Sequence, residues 1–319
     1  MSAPKHWDSL QKLHSLPPNE ESDLKLAINS PMGLVTLWVL VEGNADPYFY
    51  ERMFNMTWSK VVKVGKKGKD GKLYGGNKVV MELVNNLLNL GLTQRIIGII
   101  DRDWRPFKKD SRKPLPKNIF ETDLRDLEMT FLSISALRNA LGQEIVSTMK
   151  PDHKKWFKNG HWYKKCGDWY RDIWEQCCMV SRYMGSLRIV DSHFELPRID
   201  FVAHDCWDEK QHVLYNGWEN RLFHIAEKQS GCCHFRLLVY CWMIRYKYDI
   251  NHRSVYDVCR GHDFLSLLSE MLIDKSHYSE MWMTFFMTKE ISVADIRNMC
   301  LYQNIDRWTT TTGVTMMAH

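Results

Sequence analysis

The chain has 319 residues, 45% of them hydrophobic and 25% charged, the proportions of a globular protein with a core to bury. Its net charge of +5 is only mildly basic and names no partner by itself. No stretch approaches the roughly 18 consecutive apolar residues of a membrane span, and MSAPKHWDSLQ opens without a signal-peptide core, so a cytoplasmic protein with no membrane contact is expected.

The first 30 residues are polar, with Pro17-Pro18 ahead of Asn19, Glu20, Glu21, Ser22 and Asp23, and read as a loosely attached arm with one short helix. Leu34 to Val41, LVTLWVLV, is almost wholly apolar and rich in β-branched and aromatic side chains, the pattern of a strand covered on both faces in a parallel sheet. It stops at Glu42-Gly43. Asp46-Pro47 then offers a cap and a first-turn proline for a helix carrying Tyr48, Phe49, Met53 and Phe54. Val61 to Val64 is a second strand, followed by a glycine- and lysine-rich loop, GKKGKDGKLYGGN. Lys78 to Leu90 places Val79, Leu83, Leu87 and Leu90 at helical spacing.

Arg95 to Ile100, RIIGII, is another strand of the buried type and runs into Asp101-Arg102-Asp103. Ile119-Phe120 reads as a further short strand, and Thr122-Asp123 as the cap of a helix with Leu124, Leu127, Phe131 and Ile134 along one side. This alternation predicts an α/β domain with a parallel sheet flanked by helices over residues 31–145. Residues 146–319, rich in aromatics and methionine, predict a mainly helical region for partner binding, dimerisation or substrate binding. Strands are expected there only near Leu187 to Val190 and Ile199 to Ala203.

Nine cysteines, an odd number beginning only at Cys166, fit reduced thiols better than a disulfide framework. Cys177-Cys178 and Cys232-Cys233-His234 lack the two-residue gap with which paired thiolates grip zinc. Trp156, Trp162, Trp169 and Trp174 lie among Lys154, Lys155, Lys158, Lys164 and Lys165, which suits either base stacking or core aromatics with lysines reaching out to water.

The chemistry sits in the acids. In an open α/β sheet, ligands bind beyond the carboxyl ends of the strands, and both apolar strands here end in carboxylates, Glu42 and Asp101 with Asp103. Carboxylates beside a low-dielectric core are costly unless a cation or donor compensates them. Two apart on an extended segment, Asp101 and Asp103 project to one side and can share an ion. Mg²⁺, with Mn²⁺ as its substitute, takes a few carboxylates and completes its shell with water and phosphate oxygens.

Glu42 is expected as a further ligand or as a general acid or base, with Gly43 letting the chain turn behind it. Asp123, Asp126 and Glu128 add acids; Asp123 and Glu128 flank the apolar stripe of their helix, while Asp126 turns further out. Plainer readings stand beside these, with Glu42 paired to Arg102 and Asp123 only a cap. Two basic runs border the acids: Lys66, Lys67, Lys69, Lys72 and Lys78, then Arg102, Arg105, Lys108 and Lys109. Each fits a solvated loop, and together they supply the counter-charge a nucleic-acid backbone needs.

VEGNAD after a buried strand, followed by IIDRD, resembles the TOPRIM fold of type IA and II topoisomerases, bacterial primases and OLD-family nucleases, over about residues 34 to 135. VEGNADPYFYERMF, IGIIDRDW, TDLRDLEMTFL and CRGHDFLSLLSEML are similar to a bacterial TOPRIM nuclease family known mainly as partners of an ABC-type ATPase, as in PARIS anti-phage defence. These segments extend the likeness over most of the chain. The likeness implies an abortive-infection effector that the ATPase releases on sensing a phage protein, and that then dimerises and cuts host tRNA. It also implies Glu42 as the catalytic acid/base, Asp101 and Asp103 as metal ligands, Asp46 as support, and Asp123, Asp126 and Glu128 as additional acids.

Gly261-His262-Asp263 matches a family signature without an assigned role; His262-Asp263 suits an HD-type metal site, and Asp263 equally an N-cap for a helix from Phe264 to Leu272. A topoisomerase needs a tyrosine-bearing domain and a primase zinc ligands, neither evident here, and there is no GxxxxGK[ST] loop, so any ATPase is a separate chain. Alternatives are a DNA-cleaving OLD-like nuclease, a catalytically inactive regulatory module docked on the ATPase, and phosphotransfer on nucleotides. The sequence does not choose RNA over DNA.

Overall fold

A computed structural model describes residues 21–29, 33–43, 46–67, 73–91, 95–108, 114–148, 157–158, 161–162, 166–208, 213–272 and 278–314. The chain divides into two compact units, one of Met1–Ile100, Pro114–Glu121 and Ile296–His319, the other of Asp101–Lys113 and Thr122–Asp295.

The first unit is α/β. Strands β1 (Leu37–Val41), β2 (Ser59–Lys63), β5 (Ile96–Ile100) and β6 (Ile119–Glu121) form one parallel sheet in the order β2-β1-β5-β6. The two apolar runs of the sequence are its central pair, and every residue of both is buried, as strands covered on two faces require. Trp38, Leu40, Ile96 and Ile100 share a core with Val80, Leu83, Val84 and Leu87 of helix α3 (Asn77–Leu88). Leu24 and Ile28 of helix α1 (Glu21–Ile28) belong to the same core, so this part of the polar N-terminal segment is packed down. Each such side chain contributes about 1.5–3 kcal/mol on full burial.

Gly98 interrupts RIIGII because a methyl group there would come within 2.8 Å of Val80 Cγ1 and 2.7 Å of Ile119 Cδ1; α3 sits too close to β5 for any side chain. Buried Asn118, at φ 65°, precedes β6: its carbonyl accepts from Gly98 N at 2.9 Å, its amide donates to Ile96 O at 2.9 Å, and its Oδ1 accepts from Trp308 Nε1 at 3.2 Å. Trp308 lies on the C-terminal helix Cys300–Thr312, which buries Leu301, Tyr302 and Ile305. The expected glycine- and lysine-rich loop contains an antiparallel hairpin of β3 (Lys66–Lys67) and β4 (Leu73–Tyr74).

The second unit is mainly helical: α4 (Leu127–Ser133), α5 (Ser135–Thr148), α6 (Cys166–Phe194), α7 (Trp218–Ser230), α8 (His234–Tyr248), α9 (Val255–Val258), α10 (Gly261–Met271) and α11 (Glu280–Glu290). The strand expected at Leu187 to Val190 is the interior of α6, where every residue from Met184 to Asp191 is buried. A helix covered all round has no polar face to display its period, so a short apolar run from it looks like a strand. Ile199 to Val202 pairs with no strand and leads into a 3-10 turn at Ala203–Asp205. Trp169 is fully buried and Trp174 meets Phe264 edge-on at 4.8 Å, which makes these two tryptophans core residues; Trp156 lies outside the described residues.

No disulfide is formed among the described cysteines, and no described helix is long and apolar enough to cross a membrane.

Candidate functional site

Glu42 follows β1 and Asp101 follows β5, and since these strands are hydrogen-bonded parallel neighbours, their carboxyl ends lie at one edge of the sheet. The boundary between the compact units falls just after Ile100, so Glu42 belongs to the first and Asp101 and Asp103 to the second.

In the first unit, the turn behind Glu42 is set by Asp46, the first residue of helix α2 (Asp46–Tyr50). Its Oδ2 accepts from Gly43 N at 2.6 Å, and both carboxylate oxygens lie 2.8 Å from where a Cβ on residue 43 would sit. Only glycine leaves room for that contact. Gly75-Gly76 also pass close to Glu42: a Cβ at residue 75 would lie 3.2 Å from Glu42 O, and one at Gly76, whose φ is 114°, would lie 3.9 Å from Glu42 Oε2. Gly76 caps α3, so the amino end of that helix, a favourable place for negative charge, is beside the Glu42 side chain. Sequence reasoning passed over this glycine pair, whose one signal was its place immediately before a helix.

In the second unit, the DRD and TDLRD segments are stitched together. Arg102 N donates to Thr122 Oγ1 at 3.0 Å, Arg102 Nη1 to the Asp123 carbonyl at 2.8 Å, and Asp103 N to the Arg125 carbonyl at 2.8 Å. The buried Thr122 hydroxyl donates in turn to Leu124 O at 2.9 Å. Asp103 is not on an extended segment as expected: its φ is 46°, a left-handed turn that aspartate tolerates better than most residues. Asp101 is half-buried and Asp103 exposed.

The TDLRD acids differ from expectation. The cap of α4 is Asp126, not Asp123; Asp126 is buried rather than turned outward, and it accepts from Met129 N at 2.9 Å through Oδ1. Its Oδ2 accepts from Gly261 N at 2.7 Å. Burial raises its pKa, against the opposing pull of these two amides and of Arg125. Glu128 is half-buried, with its Cβ against Gly261, where any added methyl would collide with it and with Asp126. Asp263 does not cap α10: it sits within the helix, buried, and accepts from Arg188 Nη2 at 2.9 Å. His262 is exposed and paired with Glu280, and that contact raises its pKa. The GHD signature therefore joins helices, and its His and Asp face different partners.

Among the expected nucleic-acid contacts, Lys78 and Lys108 are exposed and Arg105 is half-buried in a 3-10 turn. Lys66 and Lys67 lie on β3, while Lys69, Lys72 and Lys109 lie outside the described residues.

Among the described residues, no three Asp, Glu, His or Cys side chains group as a metal-holding cluster. Asp101 and Asp103 present hard oxygen donors at a strand end, a set that suits Mg²⁺ only when water and substrate oxygens fill the rest of its shell. Compared with protein-family models and with curated proteins, the chain matches none.

Proposed function

We propose that this chain is a Mg²⁺-dependent nuclease acting on the phosphodiester backbone of nucleic acid, most simply RNA. The observation that carries the reading is the end-to-end match between chemistry and topology: neighbouring parallel strands β1 and β5 are followed by Glu42 and Asp101. Asp101 and Asp103 would hold the ion, which would supply charge stabilisation to a scissile phosphate. Glu42 would take or give the proton, with Asp46 and Gly76 fixing where it stands. Exposed Lys78 and Lys108 would draw in the backbone.

The likeness of VEGNAD, IIDRD, TDLRD and CRGHD to ATPase-coupled TOPRIM nucleases supports a finer reading: a cytoplasmic anti-phage effector that cuts host tRNA as a homodimer once an ATPase releases it. The test is cleavage of labelled tRNA and duplex DNA by the purified chain in Mg²⁺, with Glu42→Gln beside it. Loss of about 10²-fold or more in rate is expected, the scale of a general acid or base. Equal cutting by the variant would refute the assignment.

A second reading, a regulatory module that docks on the ATPase without cutting, draws on helix α8, where Phe235, Trp242 and Tyr246 are 76%, 67% and 82% exposed. Calorimetric titration with Mg²⁺ separates the two: metal uptake that needs Asp101 and Asp103 favours the nuclease.

A further inference from the structure

We propose that a recess in the helical unit, walled by Arg102, Arg125 and Arg253, is a phosphate subsite that takes one non-bridging phosphoryl oxygen; this deepens the nuclease reading and rests on it for the identity of the substrate. The recess has about 20 Å³ of room, enough for one or two water-sized atoms and too small for a base or sugar. Three guanidinium-bearing residues face two acids, Asp103 and Asp257, with Phe107 forming an apolar wall.

Arg125 supplies the strongest argument. It is 3% exposed, and Nε, Nη1 and Nη2 find no acceptor among the described residues. Its guanidinium lies against the Trp104 ring, a contact that satisfies no N–H. The adjacent acid does not serve it: Asp126 accepts from Met129 N and Gly261 N and makes no bond to Arg125. A buried donor fork left without acceptors is costly in an ordinary core and is what an oxyanion site requires.

Arg253 stands at the exposed side of the recess. Its Nε donates to the Tyr248 carbonyl at 2.7 Å and its guanidinium carbon lies 5.4 Å from the Phe107 ring centre, which anchors the head while the two terminal nitrogens have no acceptor among the described residues. Tyr248 is itself fixed by its hydroxyl on Phe107 O at 2.8 Å. Asp103 is common to this recess and to the DRD segment, so a phosphate seated here would place the nucleic-acid backbone beside the acids expected to act on it.

The experiment titrates the full chain with inorganic phosphate at constant ionic strength, followed by calorimetry, with acetate and chloride as controls. Saturable phosphate binding is expected, weakened at least about tenfold in Arg253→Gln and in Arg125→Met, the scale of losing a charge-assisted hydrogen bond. If Arg125→Met does not fold, the exposed Arg253→Gln decides. Equal affinity in wild type and Arg253→Gln, no saturable binding, or acetate binding as tightly as phosphate each overturns the proposal.

An unphosphorylated tetraribonucleotide that displaces phosphate identifies the backbone as its source, whereas binding of inorganic phosphate alone identifies a free anion; either keeps the subsite. Glu42→Gln should retain phosphate affinity. Phosphate binding without nucleic-acid cleavage by the wild type removes the nuclease reading and leaves the subsite, and cleavage without phosphate binding does the reverse.

Discussion

Gly261 donates its backbone N–H to the carboxylate of Asp126, 135 residues earlier in the chain, at 2.7 Å. One side chain thus caps α4 through Met129 N and holds the start of α10 through Gly261 N. Gly261→Ala should cost about 1–3 kcal/mol, since the methyl must displace Glu128 and Asp126. Asp126→Ala should cost at least as much, because it strands two buried donors. The midpoint of urea unfolding measures both, and an unchanged midpoint for either removes the contact from the account of stability.

Arg188, buried within α6, bonds Asp263 at 2.9 Å and Asp200 at 2.8 Å. Asp263→Ala should destabilise by about 3–5 kcal/mol by leaving a buried cation with one exposed partner. Arg188→Met with Asp263→Leu should recover most of that loss, because a well-packed apolar pair of similar volume replaces the ions. A double-mutant cycle that finds the two losses additive contradicts this coupling.

Asp191 accepts from Ile199 N at 2.6 Å, yet burial raises its pKa to about 6 from 3.8. The folded chain then holds a proton that the unfolded chain has released across that window. Stability from this group is present below 3.8 and is lost as pH rises through about 6. Asp191→Asn keeps the acceptor without the titration. Relative to wild type its melting temperature should climb between these two pH values and level off above them; a constant offset across the range shows that the carboxyl does not titrate there.

Gly43→Ala places a methyl on the Asp46 carboxylate and must shift the turn that carries Glu42. If Glu42 handles the proton, cleavage should fall about 100-fold, the effect of misplacing a catalytic group by about an ångström. The thermal midpoint should move far less than this rate does. Loss of activity only in proportion to loss of folded protein would show that the turn serves stability alone.

The sheet was legible because β1 and β5 are fully buried, largely apolar runs closed by acids, a pattern that needs no distant partner to be read. The role of Asp126 was not legible, since its burial depends on Gly261 and its helical-wheel position assumed a helix already begun at Thr122. Asp103 misled for a related reason: the extended geometry of β5 ends at Ile100, and the hydrogen bond from Asp103 N to Arg125 O accompanies a reversal of the backbone there. The arginine recess lay further still from view, because Arg125 and Arg253 meet only through helical packing that no local spacing encodes.

Asn118 ties the sheet to Trp308, and the unit they share is interrupted by Thr122–Asp295. During synthesis the strands are made early, while the helix that receives Asn118 emerges only after the whole second unit has been translated. The helical unit can therefore fold on the ribosome while the sheet still lacks its closing partner. Completion of the β6 side of the sheet is in this sense a late event, timed by chain length.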